Sequence, residues 1–180
     1  GDSAVVVCQD WYYKDHGHLG EEESRELNFD HPSAIETSLL LRQLGQLAKG
    51  SAVEAPIYEY VSHSRSRKTR TVEPAPVIIL EGLFVLHDAR LIRRLDLSVF
   101  IDVPADERLL RRVRRDVAHR RIDLDETLRL YEQYVRPMHE KFIEPTAPLA
   151  TWRWRQMEDE RFPKELFDEV CARLRRKRKS

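Results

Sequence analysis

Val77-Ile-Ile-Leu-Glu-Gly82 decides the fold class. An unbroken apolar, mostly β-branched run that ends in an acid reads as a strand buried on both faces of a parallel sheet. Two further runs have the same form: Ala4 to Cys8 leads to Asp10, and Leu97 to Ile101 leads to Asp102. Open parallel sheets bind ligands in the crevice beyond the carboxyl ends of their strands. Acids placed there can hold a metal ion or take a proton from a substrate hydroxyl. Helical patterns separate the strands, and this alternation predicts an α/β fold, three-layer αβα around a parallel sheet.

The helical patterns carry their own boundaries. Ser33-Ala-Ile-Glu36, after Pro32, reads as a capping box opening a helix that buries Leu40, Leu41, Leu44, Leu47 and Ala48, with Gly50 placed to end it. Ala89 to Leu95 predicts a short helix. Asp106 is placed to cap another, turning Leu109, Leu110, Val113 and Val117 inward and Arg108, Arg111, Arg112 and Arg115 outward. Asp123-Leu-Asp-Glu126 is a second capping box, for a helix bearing Leu124, Leu128, Tyr131 and Val135 that Pro137 should kink or end. Pro163 opens the last helix, with Leu166, Phe167, Val170 and Leu174 buried. Val53 to Val72 alternates in short pieces about a polar turn at Ser64 to Lys68, the pattern of a β-hairpin projecting from the core.

With 180 residues, 41% hydrophobic and 34% charged, the chain fits one folded domain over 1–180 with a basic tail over 173–180. Lys plus Arg and Asp plus Glu number 31 each, so net charge makes no case for nucleic acid or a membrane surface. No apolar stretch approaches the roughly 20 residues that span a bilayer. The only cysteines, Cys8 and Cys171, do not form a disulfide framework, which points to a reducing cytoplasm.

Five constellations carry chemistry. Asp10 stands beside Trp11, Tyr12 and Tyr13, where a carboxylate can deprotonate a sugar hydroxyl while a ring packs on the sugar; the same Asp serves equally as a loop cap. In Asn28-Phe-Asp-His-Pro32, Asp30 can accept from two vicinal hydroxyls, or the segment is an ordinary turn before a helix. Pro56-Ile-Tyr-Glu-Tyr-Val-Ser-His-Ser-Arg65 offers Tyr58, Tyr60 and His63 to a nucleobase. Strict alternation puts the tyrosines on one face and His63 on the other, so all three meet one ligand only if the strand bends near Val61 to His63. Otherwise the tyrosines are a cross-strand packing pair and His63 lies on the surface. Glu81-Gly82 lets backbone or ligand approach an acid closely, as a metal–nucleotide site needs. Arg111-Arg-Val-Arg-Arg-Asp116, with His119-Arg-Arg121, is suited to clamp phosphates or is a solvated helix face.

The order and wording of these motifs, with Val135 to Thr146, resemble the uridine kinase (uridine–cytidine kinase) family of P-loop kinases over roughly residues 4 to 150. The resemblance implies the P-loop kinase fold with a projecting β-hairpin and a helical lid. It also implies transfer of the γ-phosphate of ATP or GTP to the 5′-hydroxyl of uridine or cytidine, with Mg²⁺, in cytoplasmic pyrimidine salvage, and a homo-oligomer, a tetramer in family members. On this resemblance Asp10 is the catalytic base, Tyr13 lines the nucleoside site, and Asp30 holds the ribose hydroxyls with Arg112. Tyr58, Tyr60 and His63 meet the base, Glu81 lies near Mg²⁺, and Arg115 and Arg120 belong to the lid over the phosphates.

The chain departs from the family pattern in four places. The loop Gly-x-x-x-x-Gly-Lys-Ser/Thr occurs nowhere in it; the resemblance puts that loop upstream of Gly1, and without it productive ATP binding is not expected. The lid reads Arg120-Arg121-Ile122 where the family reads Arg-Gly-Arg, and Leu130 stands where a base-contacting Gln is expected. The family's final strand is not recognisable in Ala150 to Arg155. These departures keep a second reading open, a non-catalytic nucleoside-binding or regulatory relative. A nucleic-acid module would rest on the basic helix and tail alone, with no stacking platform.

Overall fold

The computed structural model describes residues 3–20, 27–60, 62–155 and 161–177. They fall into two compact units, Gly1–Leu95 with Pro137–Thr146, and Asp96–Arg136 with Ala147–Ser180.

In the first unit, β1 (Ala4–Cys8) runs into a 3-10 turn, Gln9–Tyr12. A second 3-10 turn, Pro32–Ala34, precedes α1 (Thr37–Leu47). The hairpin strands β2 (Val53–Glu59) and β3 (Ser64–Val72) follow, then β4 (Val77–Glu81) and the short α2 (Ala89–Ile92). β1 and β4 are parallel and in register from Ala4 opposite Val77 to Cys8 opposite Glu81. Both acid-ended runs therefore end at the same level. Among the described residues β4 pairs only with β1, and the paired Val6 and Ile79 are about half exposed, so the central position expected for the Val77 run is not seen in the described sheet.

Val7, Tyr12, Leu40 and Leu91 are fully buried in this unit. The Tyr12 hydroxyl donates to Gln43 Oε1 at 2.7 Å, and Gln43 Nε2 donates to the Glu54 carbonyl at 2.8 Å, which ties the Asp10 turn, α1 and β2 together. The capping box expected at Ser33 does not form. The Ser33 N–H donates to His31 Nδ1 at 3.1 Å, and Glu36 meets Arg65 Nη1 at 2.6 Å instead of reaching back to the backbone. The helix accordingly starts at Thr37.

The hairpin is antiparallel, with a register shift between Pro56 and Tyr58 where Pro56 has no N–H for the ladder. Its turn lies before Ser64, not at Ser64 to Lys68. His63 adopts φ 49°, and Thr69 and Thr71 donate to the Glu54 carboxylate at 2.6 and 2.8 Å, which keeps those residues in the strand. Of the stretch Val61 to His63, where the bend was expected, Val61 lies outside the described residues.

In the second unit, β5 (Val99–Asp102) and β6 (Trp152–Arg155) are parallel, with Val99 opposite Trp152. This supplies the strand that was not recognisable in the sequence. Trp152 and Trp154 pack on Phe162 at 5.5 and 5.2 Å between ring centroids, and Arg153, on the other face, reaches Asp102 at 2.8 Å. Among the described residues the longer helices of this unit are α3 (Ala105–Ala118), α4 (Leu124–Leu130) and α5 (Phe162–Lys177). Asp106 does not cap α3, which follows Pro104 without a side-chain cap. Leu110 and Val117 are 49% and 41% exposed; the buried residue of α3 is Asp116. Asp123 does cap α4, accepting from the Asp125 and Glu126 N–H groups. Ahead of Pro137 the chain widens into a π-helical turn, Tyr131–Val135. A proline lacks the N–H and crowds the carbonyl four residues back, which favours that widening. Phe167 on α5 is exposed, not buried, and residues 178–180 of the basic tail lie outside the described residues. Among the described residues no helix is long and apolar enough to cross a membrane.

Candidate active site

Seven of the ten expected site residues lie in the first unit. Asp10 sits in the 3-10 turn directly after β1, and Glu81 is the last residue of β4. Cys8 links them: its thiol is hydrogen-bonded to the Glu81 carboxylate, and the Asp10 backbone hydrogen-bonds to its sulfur. Burial, the Glu81 hydrogen bond and the nearby negative charges push this thiol up to about 12. Gly82 has φ 154°, and a Cβ there would stand 2.3 Å from the Cβ of Gln9. Gln9 is 1% exposed and its Oε1 accepts from the Phe84 N–H at 2.8 Å. The close approach permitted by Gly82 is thus made by Gln9, the neighbour of Asp10.

The aromatic residues form one continuous chain. Tyr60 meets Tyr58 edge-on at 5.4 Å, Tyr58 meets Tyr13 at 5.3 Å, Tyr13 meets Phe29 at 5.9 Å, and Phe29 stacks on His63 at 4.6 Å. His63 therefore joins the tyrosines through Phe29, from a left-handed backbone position at the hairpin turn. Burial, then the charges of Asp10 and Asp30, strongly raise the Tyr13 phenol, so both carboxylates bear on this ring. Asp30 is held by an Asx turn in which its N–H donates to Asn28 Oδ1 at 3.0 Å. The Tyr58 hydroxyl is buried and has no hydrogen-bond partner, and burial pushes it up to about 12. Burial and the neighbouring His16 lower His63.

Two residues that hold this arrangement were not singled out from sequence. Phe29 lies inside the quoted Asn28 motif. Arg65 closes the quoted hairpin motif: its Nε donates to the Tyr13 carbonyl at 2.8 Å, Nη2 to the Tyr12 carbonyl at 3.1 Å, and Nη1 to Glu36. Its backbone N–H donates to Asp15 at 3.2 Å. One side chain pins the hairpin to the Asp10 turn. The only sequence signal was a charge at the end of an aromatic strand.

The other three, Arg112, Arg115 and Arg120, lie in the second unit around Asp116. Arg112 Nε is 3.3 Å from Oδ2, Arg115 Nε 2.8 Å from Oδ1, and Arg120 Nη1 3.6 Å from Oδ1. The Ile122 N–H donates to the Asp116 carbonyl at 3.0 Å, and Arg121 holds φ 56°. The backbone thus adopts a glycine-favouring conformation at the position where the resembled family has Gly.

Among the described residues no three His, Cys, Asp or Glu side chains gather as a metal site. Glu81, exposed at a strand end, fits Mg²⁺, which keeps several waters and takes one or two carboxylates together with substrate phosphates.

Parallel strands ending in acids, with flanking helices, define an α/β class, and two solved structures share the fold. A D-glycerate 3-kinase from Cryptococcus neoformans var. grubii aligns with a TM-score of 0.59 at 16% identity, over 84% of this chain and 73% of that one. A possible uridine kinase from Bacillus stearothermophilus aligns with a TM-score of 0.56 at 19% identity, over 85% and 72%. Residues 5–160 match the model of the phosphoribulokinase/uridine kinase family. The uridine kinase of Escherichia coli (strain K12) is 48% identical over 151 residues, 83% of this chain and 71% of that protein; that of Bacillus mycoides (strain KBAB4) is 47% identical over 150 residues, with the same coverage. The chain belongs to the phosphoribulokinase/uridine kinase family, and its fold is that of the P-loop kinases.

Proposed function

We propose that this chain serves transfer of the γ-phosphate of ATP, or GTP, to the 5′-hydroxyl of a pyrimidine nucleoside, uridine or cytidine, as one kinase-like domain of a cytoplasmic homo-oligomer. One observation carries the reading: Asp10 and Glu81 stand at the ends of two paired strands, and the Asp10 turn also bears Tyr13, the centre of the aromatic chain.

Asp10 takes the proton of the 5′-hydroxyl as phosphorus–oxygen bond formation begins, help worth about 10²–10⁴ in rate. Asp30 accepts from the two ribose hydroxyls, each bond contributing roughly 1.5–3 kcal/mol, and Arg112 is assigned a ribose role as well. Tyr58, Tyr60 and His63 face the base, which would satisfy the buried Tyr58 hydroxyl. Glu81 would hold Mg²⁺, whose charge, when bound, neutralises phosphate oxygens. Arg115 and Arg120 stabilise the transferring phosphoryl group. The backbone cradle of a Gly-x-x-x-x-Gly-Lys-Ser/Thr loop is not among these 180 residues, so uridine binding is expected of the chain alone and turnover is not.

The test compares the chain alone, titrated with uridine, with residues 1–180 placed behind a family phosphate-binding loop and supplied with uridine, ATP and Mg²⁺. Binding in the first and UMP formation in the second are expected, and Asp10→Asn should lower kcat by about 10²–10⁴ with uridine binding kept. Undiminished turnover in the Asn variant would remove Asp10 from its role. The second reading, a nucleoside-binding relative without activity, draws on Ile122 and Leu130 where polar readout is expected. Uridine binding without turnover in the loop-bearing protein would select it.

A further inference from the structure

Asp116 is the most buried ionisable side chain of α3, 2% exposed, on a helix otherwise crowded with exposed arginines. Its position opposes two costs. A carboxylate loses hydration on burial, and in the last turn of a helix it faces the negative end of the backbone dipole. Three guanidinium groups offset them, arriving from one turn before (Arg112), the adjacent residue (Arg115) and one turn after (Arg120). Only the Arg115 contact is a well-formed hydrogen bond; Arg112 Nε is buried at 3.3 Å from Oδ2 without hydrogen-bond alignment. The Asp116 backbone also takes part, since its carbonyl receives the Ile122 N–H and closes the turn that carries Arg120.

We propose that Asp116 is a positioning residue: it gathers Arg112, Arg115 and Arg120 into one cationic cluster and so sets how they meet phosphate. This rests on the reading above, in which these arginines serve a ribose and a phosphoryl group. Asp116 touches neither. An unrestrained arginine samples many rotamers and loses that freedom on binding an anion, whereas one already held by a buried carboxylate has lost it in advance. A phosphate oxygen then replaces part of the contact to Asp116. The geometry points to a direction opposite to simple charge counting. Removing a negative charge from an anion site should strengthen anion binding; removing this one should weaken it.

Two readouts on the full chain test the proposal, with Asp116→Asn and Asp116→Glu compared to the parent. The first is solvent exchange of the Arg115 Nε–H proton by NMR, with Arg111, paired to Glu107 on the same helix, as the internal standard. The second is titration with inorganic tripolyphosphate. In the Asn variant, exchange at Arg115, whose Nε–H is the one hydrogen-bonded to Asp116, should quicken at least about tenfold with Arg111 unchanged, and tripolyphosphate affinity should fall about tenfold, the worth of one charge-assisted hydrogen bond. The Glu variant should retain part of the Arg115 protection and an affinity between the two. Equal or tighter tripolyphosphate binding by the Asn variant overturns the proposal, as does unchanged exchange. Should the Asn variant not fold, the Glu variant decides: lost protection with parental affinity overturns the proposal, and protection and affinity that fall together support it. If Arg115→Ala leaves tripolyphosphate binding intact while Asp116→Asn still frees the guanidinium groups, the phosphate reading of the arginines has failed and the positioning by Asp116 has not.

Discussion

Gly82→Ala tests the construction of the strand end that carries Glu81 most directly. Two costs follow from the structure. The backbone at residue 82 has φ 154°, a conformation essentially reserved for glycine, and an alanine held there costs about 1–3 kcal/mol. The new methyl would also lie 2.3 Å from Gln9 Cβ and 2.6 Å from Gln9 Oε1, so Gln9 must move. Gln9 is buried and accepts from the Phe84 N–H; losing that acceptor leaves a buried donor unpaired at about 1–3 kcal/mol. Together the change should remove about 2–6 kcal/mol, against a total stability of roughly 5–15 kcal/mol for a domain. Urea unfolding of the full chain reads the loss, and amide exchange at Phe84 locates it. The clash is with a Cβ, so Gln9→Ala should not rescue the variant, whereas Gln9→Gly should recover the steric part. A Gly82→Ala chain within about 0.5 kcal/mol of its parent, or full rescue by Gln9→Ala, would refute the reasoning.

Three further outcomes are expected. In metal-free buffer and a Cys171→Ser background, Cys8 should alkylate slowly: a thiol raised from 9.0 to about 12 carries about a thousandfold less thiolate at pH 8, and Glu81→Gln, by removing a neighbouring anion, should lower the thiol and speed iodoacetamide labelling about tenfold. A labelling rate indifferent to Glu81→Gln would show that the two side chains are not neighbours. Tyr58→Phe removes a buried hydroxyl with no partner and should leave the free chain as stable or about 1 kcal/mol more stable in urea, while weakening uridine binding. A loss above about 1 kcal/mol would mean that the hydroxyl is already satisfied. Arg121→Gly relieves a left-handed residue and should raise the thermal midpoint slightly, the relief of about 1–2 kcal/mol being partly offset by glycine's greater freedom in the unfolded chain; a lower midpoint would mean that the Arg121 side chain holds the turn.

Local periodicity and terminal residues made the parallel strands legible. Ala4 to Cys8 is found as β1 to the residue, and Val77 to Leu80 lengthens by one to include Glu81. Asp123 caps its helix because the acceptor and the N–H groups it serves are two and three residues apart. The Ser33 box fails for a long-range reason: Glu36 has a better partner in Arg65, 29 residues on. Trp152 to Arg155 lacked a family pattern, yet alternation of Trp and Arg is a strand with one packed and one charged face, and Phe162 and Asp102 supply the two partners. The inward face assigned to α3 holds for Leu109 and Val113, which are half-buried, and fails for Leu110 and Val117, which are exposed; periodicity counts apolar residues, and here a carboxylate enclosed by arginines occupies the most buried position. Arg65 was opaque for a similar reason. Its acceptors are backbone carbonyls 52 and 53 residues earlier, and no residue type announces a carbonyl.

Arg65 and Asp116 solve the same problem with opposite charges. Each unit carries candidate site residues on a segment that is not a regular strand or long helix: the Asp10 turn in one, the 119–122 turn in the other. The Asp10 turn buries Gln9 and Tyr12, whereas the 119–122 turn buries none of its side chains, and in a site a misplacement of about 1 Å can cost a hundredfold in rate. A single side chain with several directed contacts supplies what packing does not. The fork of Arg65 spends its donors on the two carbonyls of the Tyr12–Tyr13 segment and on Glu36; the two oxygens of Asp116 collect three guanidinium groups. Such hubs differ from core residues in how they fail. Removing a core leucine opens a cavity and is felt across the whole fold. Removing a hub leaves the sheet and helices intact but releases the segment it holds, so ligand binding should be lost well before cooperative unfolding, and a charge-conserving change without the fork, such as Arg65→Lys, should fail nearly as badly as Ala because one ammonium cannot reach three separated acceptors.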